Sequence, residues 1–105
     1  MKFGLSTQDI QKITSVLATH PEVESAILYG SRAKGNFKNG SDIDLTLLGK
    51  NLNLTVLNKI SLEIDDLLLP YMFDLSIFHF INDKDMLEHI ERVGKIFYEQ
   101  PVLSC

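Results

Sequence analysis

Cysteine is all but missing from this chain: the one thiol among 105 residues is Cys105, the last of them. No disulfide can close within the chain and no cysteine-built metal site can form, which points to a reducing cytoplasm. Basic charge is scarce as well. Ten lysines and arginines stand against fourteen acids, a formal net charge of −4, so a surface that tracks DNA or RNA is not expected. Apolar runs long enough to cross a membrane are missing, and Met1-Lys2-Phe3-Gly4 does not open a signal peptide. Internal repeats, low-complexity tracts and linkers are absent too. The expectation is a cytoplasmic protein that engages neither DNA nor a membrane.

What is present fits one small domain with one core over residues 1–105: 45% of the residues are hydrophobic and 23% charged, too apolar a balance for disorder. Ser6 or Thr7 can cap a first helix in which Ile10, Ile13, Val16 and Leu17 recur at helical spacing, with Pro21 beyond its end. Val23 to Tyr29 reads as a strand buried on both faces. Asn39-Gly40 marks a tight reversal into a second strand, Ser41 to Leu48, which alternates polar and apolar residues. A second helix is expected from Leu54 to Leu69, with Leu54, Leu57, Ile60, Ile64 and Leu67 or Leu68 on its apolar side and Pro70 stopping it. Met72 to Phe80 reads as a third strand. Asn82 can cap a last helix whose stripe is Met86, Leu87, Ile90 and Val93, ended by Gly94; Lys95 to Tyr98 would add a short edge strand. The order α-β-β-α-β-α predicts an α/β or α+β fold, a small mixed sheet with helices packed on one side.

Function is carried by Gly30-Ser31 and, after a short basic stretch, Ser41-Asp42-Ile43-Asp44-Leu45. Side chains alternate along a strand, so Asp42 and Asp44 share one face. Aspartate is a poor strand former and two carboxylates on one face repel, a cost that a cation between them removes. Magnesium suits such a place, being held by one or two carboxylates and the phosphates of a nucleotide. The backbone N–H groups of a turn at Gly30-Ser31 can hold phosphate oxygens, the missing Cβ of Gly30 lets a phosphate come close, and the Ser31 hydroxyl adds a hydrogen bond. Arg32 and Lys34 are cations within reach of a phosphate or a pyrophosphate leaving group. Asp74 lies mid-strand on the face of Ser76; if its strand neighbours that of Asp42 and Asp44, three carboxylates converge, which is what a two-metal phosphoryl-transfer site uses.

Gly30-Ser31-Arg32-Ala33-Lys34-Gly35, then Ser41-Asp42-Ile43-Asp44-Leu45, then Asp74 resemble the signature of the minimal nucleotidyltransferases (MNT) of the DNA polymerase beta-type superfamily. Glu91 to Tyr98 is similar to that family's closing Glu-Arg-x-Gly-x-x-x-Tyr run. The resemblance implies a single-domain nucleotidyltransferase fold and transfer of AMP from ATP, with two Mg2+ ions and release of pyrophosphate. It assigns Ser31 to the terminal phosphates, Asp42 and Asp44 to both metals, and Asp74 to the catalytic metal and the acceptor hydroxyl. Relatives that act on antibiotics or nucleic acid carry extra domains for the acceptor, so at this length the acceptor is expected as, or on, another macromolecule, or the chain is expected to pair with one. Minimal members resemble antitoxins that AMPylate a tyrosine of a HEPN-domain toxin ribonuclease, and that is the leading expectation here. Two alternatives stand beside it: an antitoxin that works by occlusion alone, and an aminoglycoside-type enzyme completed by a second copy of the chain. Homo-oligomerisation is left open.

His20, His79 and His89 show no metal-ligand spacing. Glu63 to Asp66 reads as a solvated helix face, Tyr29 as a core tyrosine at a strand end, and Leu67 to Tyr71 as core or a partner surface.

Overall fold

The computed structural model describes residues 2–101. Ser6 accepts a hydrogen bond from the Asp9 backbone N–H at 3.1 Å and opens helix α1, Thr7–Ala18. Its expected stripe is the one that goes inward: Ile13, Val16 and Leu17 are buried. Strand β1, Ser25–Tyr29, ends at Gly30, and a short helix α2, Ser31–Lys34, follows directly. A turn over Lys38 to Ser41, with Gly40 at φ 84°, leads into β2, Ile43–Leu48. The strand therefore begins two residues later than expected, and Asp42 stands just before it.

Helix α3 is Leu54–Asp65, capped by the Asn53 side chain on the Val56 N–H at 2.9 Å. It is shorter than the expected Leu54 to Leu69. After Asp66 the chain turns through Leu68 in a left-handed conformation (φ 56°), which lets Leu67 and Leu69 both pack on the core while Leu68 stays 87% exposed. Leu54 also projects into solvent, so the helix is held inward by Val56, Ile60 and Ile64. Strand β3 is Phe73–Ile77; the rest of the expected strand, Phe78–Phe80, winds into one 3₁₀ turn. Helix α4, Lys84–Val93, is capped by Asp83 rather than Asn82, through bonds from the Asp85 and Met86 N–H groups. Strand β4, Lys95–Glu99, closes the order.

The four strands lie in the order β3-β2-β1-β4, with β2 and β3 parallel and the other pairs antiparallel. Ala26 and Leu28 from β1 and Ile43, Leu45 and Leu47 from β2 meet α1 and α3 on one face, and this is the core. The expected packing of helices on one side holds for these two. Helix α4 lies against the opposite face, where Gly94 abuts Ile27 so closely that a Cβ would meet its Cγ2 at 2.7 Å. Gly94 ends the helix as expected, but in extended conformation (φ −60°, ψ 143°); close packing, not a left-handed turn, is what requires glycine there. No helix among the described residues is long and apolar enough to cross a membrane.

Candidate active site

The parallel ladder pairs Asp44 with Asp74, and the antiparallel ladder pairs Asp44 with Tyr29. Residues opposite each other on neighbouring strands share a face. Tyr29, Asp44 and Asp74 thus form a row across three strands on the face away from the core. One step along, the row is Ile27, Thr46 and Ser76. Asp74 lies beside Asp44, as the sequence required of it, and Asp42 reaches the same end of the sheet from the segment before β2.

Charge on this row is poorly compensated. Burial pushes the Asp44 carboxyl above the usual carboxylate range, the charge of Asp74 and then that of Asp42 push it further, and His89 opposes them. No lysine or arginine forms an ion pair with any of the three among the described residues. Burial also raises the Tyr29 phenol above its ordinary value; Ser76 opposes, and the Asp74 and Asp44 charges add to the rise. The hydroxyls of Thr46 and Ser76 are buried without a hydrogen-bond partner of good geometry.

Gly30 ties the turn to this row. Its backbone (φ 77°, ψ −158°) is open essentially to glycine alone, and a Cβ there would collide with Asp44 Oδ2. Two of the turn's bonds are local: the Lys34 N–H reaches Gly30 O at 3.1 Å and the Gly35 N–H reaches Ser31 O at 2.9 Å. The first N–H groups of α2 have no partner within the helix. Ser31, half-buried, opens that helix beside Asp44, and Lys34 is exposed on its last turn.

Arg32 does not join them. The residue is 3% exposed, its Nε donates to Ser41 O at 3.1 Å and its Nη1 to Phe3 O at 2.9 Å, and its guanidinium lies over the rings of Phe37 and Tyr71. The expected phosphate contact of Arg32 gives way to a structural one. The cation pins the basic loop to the N-terminal segment, because burial over two rings favours a guanidinium whose donors are used.

The family described as "Polymerase beta, Nucleotidyltransferase" matches residues 11–101. The chain belongs to that nucleotidyltransferase family. No curated protein sequence matches it. Among solved structures, this nucleotidyltransferase is similar to a toxin–antitoxin crystallised with AMP-PNP, at 20% identity and a TM-score of 0.70 over 87% of this chain and 73% of that one. It is similar to a complex of a tri-AMPylated Shewanella oneidensis HEPN toxin with its MNT antitoxin, at 17% identity and a TM-score of 0.67 over 91% and 74%. The toxin–antitoxin MntA-HepT gives 18% identity and a TM-score of 0.67 over 90% and 74%. At such identities the likeness is one of fold.

The candidate site fits a divalent cation by its donor set. Asp44 pairs in register with Asp74 and feels the charge of Asp42, and among the described residues no lysine or arginine pairs with any of the three. Among the described residues no three acidic, histidine or cysteine side chains close into a cage. Magnesium does not need one, since it keeps several waters and completes its shell with substrate phosphates. Sequence reasoning passed over His89, whose Nε2 accepts the Gly30 N–H at 3.2 Å and whose ring stands edge-on to Tyr29 at 6.1 Å. No local signal announces it, because it arrives from α4, 59 residues beyond its partner. Of the other histidines, His20 pairs with Glu63 at 2.7 Å between the end of α1 and α3, which takes Glu63 out of the expected solvated run. His79 stacks edge-on with the exposed Phe80.

Proposed function

We propose that this nucleotidyltransferase transfers AMP from magnesium-bound ATP to a hydroxyl, and that the acceptor is a tyrosine of a HEPN-domain toxin which it neutralises as an antitoxin. The observation that carries the chemistry is the register pair Asp44–Asp74, uncompensated and directly beneath the Gly30–Ser31 turn. Support for the partner class comes from the fold shared with the MNT antitoxin bound to a tri-AMPylated HEPN toxin.

In this reading the free N–H groups at the start of α2 and the Ser31 hydroxyl bind the terminal phosphates, and Lys34 adds charge from the rim. Asp42 and Asp44 would hold both cations, and Asp74 would join them at the catalytic one. Bound magnesium would neutralise the triphosphate and lower the pKa of the attacking hydroxyl. Asp74, on the exposed edge strand, takes up the acceptor hydroxyl and accepts its proton. The acceptor oxygen bonds to the α-phosphorus as the bond to the pyrophosphate oxygen breaks, and the site contributes mainly alignment and charge neutralisation.

The test is label transfer. The chain is mixed with a candidate HEPN-domain partner, ATP labelled at the α-phosphate and magnesium. Label should enter one or more tyrosines of the partner, and neither Asp42→Asn nor omission of magnesium should support it. Neutralisation of the toxin with no label in any tyrosine would overturn the catalytic role and leave occlusion.

A further inference from the structure

We infer that His89 is a positioning residue for the phosphate turn: its Nε2 accepts the Gly30 N–H and so fixes the peptide that presents Ser31 to a nucleotide. This rests on the nucleotide-binding role proposed for that turn. Gly30 occupies a backbone region that a free glycine samples only as one of many, so something must hold it there. Its carbonyl is held by the Lys34 N–H within the same turn. Its N–H is held from outside, by a side chain of α4.

The imidazole is itself well placed to do this. Its ring meets Tyr29 edge-on at an interplanar angle of 83°, and Tyr29 is buried at the end of β1. The helix that carries it is seated on β1 by Ile90, 3% exposed, and by the close approach of Gly94 to Ile27. Accepting an N–H requires Nε2 to be unprotonated, which puts the ring proton on Nδ1. With the Gly30 N–H engaged by His89, the N–H groups that follow it and the Ser31 hydroxyl remain for phosphate. The turn is then ordered before the nucleotide arrives, and the cost of ordering it is not subtracted from affinity.

Packing against Tyr29 alone would ask only for a ring; positioning asks for an acceptor. The experiment measures the dissociation constant of Mg·ATP by calorimetry for the wild-type chain, His89→Gln and His89→Phe, with circular dichroism to check folding. His89→Phe keeps a ring but cannot accept, and it should bind about five- to tenfold more weakly. His89→Gln offers an amide oxygen and should stay within about twofold of wild type. Should His89→Phe fail to fold, His89→Ala takes its place. In the wild-type protein, NMR should show a coupling across the hydrogen bond between the Gly30 nitrogen and His89 Nε2. Equal affinity of Phe and wild type, loss of affinity in Gln equal to that in Phe, or no such coupling each overturns the proposal. If the wild-type chain itself binds no Mg·ATP, the proposed function falls and this inference with it. If it binds and the variants do not differ, only this inference falls.

Discussion

The two faces of this sheet obey opposite rules. Toward α1 and α3, Ala26, Leu28, Ile43, Leu45 and Leu47 are fully buried and wholly apolar. On the other face, the same two strands and β3 present Tyr29, Asp44, Asp74, Thr46 and Ser76: two like charges in register, two buried hydroxyls without partners and a phenol with a raised pKa. Because side chains alternate strictly along a strand, one backbone carries both patterns with no compromise between them. The apolar face supplies the stability that the acidic face uses up, and the acidic face keeps unsatisfied groups that a cation and a nucleotide would satisfy. Local frustration at a functional site needs such a counterweight nearby.

That contrast can be broken from either side. The largest effect is expected from Asp44→Asn, which should lower AMP transfer on the order of 10²–10³-fold in a label-transfer assay. Its thermal midpoint without cations should rise, because the replaced charge is partly buried beside two like charges. A fall in both activity and midpoint would break the comparison. Leu45→Ala, on the next residue but the opposite face, should do the reverse: a loss of about 3 kcal/mol in urea unfolding, with Mg·ATP affinity of the folded protein unchanged.

Next in size, Arg32→Ala should destabilise by roughly 2 kcal/mol, since it orphans Phe3 O and Ser41 O and removes a buried cation that lies over two rings. Lys34→Ala, two residues away and exposed, should stay within about 0.5 kcal/mol of wild type. Equal stability losses in the two variants would show that the guanidinium is not the anchor described. The smallest effect is in pH. The folded state binds the Asp44 proton at pH values where the unfolded chain, near the ordinary 3.8, has released it. With more protons on the folded state, stability falls as pH rises through that window. Unfolding measured without divalent ions should show this slope in the wild-type protein and a shallower one in Asp44→Asn; magnesium should flatten it too.

Much of this was legible from residue order. The α1 cap was narrowed to Ser6 or Thr7, the α1 stripe followed its 3.6-residue period, and Asp44 and Asp74 could be set on polar strand faces from alternation alone. Boundaries were less legible. Phe78 to Phe80 is as apolar as the strand before it, and nothing local tells a strand from a 3₁₀ turn. The leucines after Asp65 keep the helical composition, yet the chain turns at Leu68 because Leu67 and Leu69 both have core to reach. Arg32 was misread because a basic residue in a glycine-bounded loop looks like a phosphate ligand until Phe37, Tyr71 and Phe3 are seen to surround it.

Sequence alone determined the kind of chemistry: acidic residues at strand spacing, a Gly-Ser turn and an apolar counterface are local patterns, set by side-chain alternation and backbone sterics. Only the tertiary structure decided which groups meet. The pairing of Asp44 with Asp74 depends on a parallel crossover through α3, and the contact of His89 with Gly30 depends on which face α4 takes. Both are contacts between distant segments, whose geometry comes from packing the whole chain and is written in no single stretch of it.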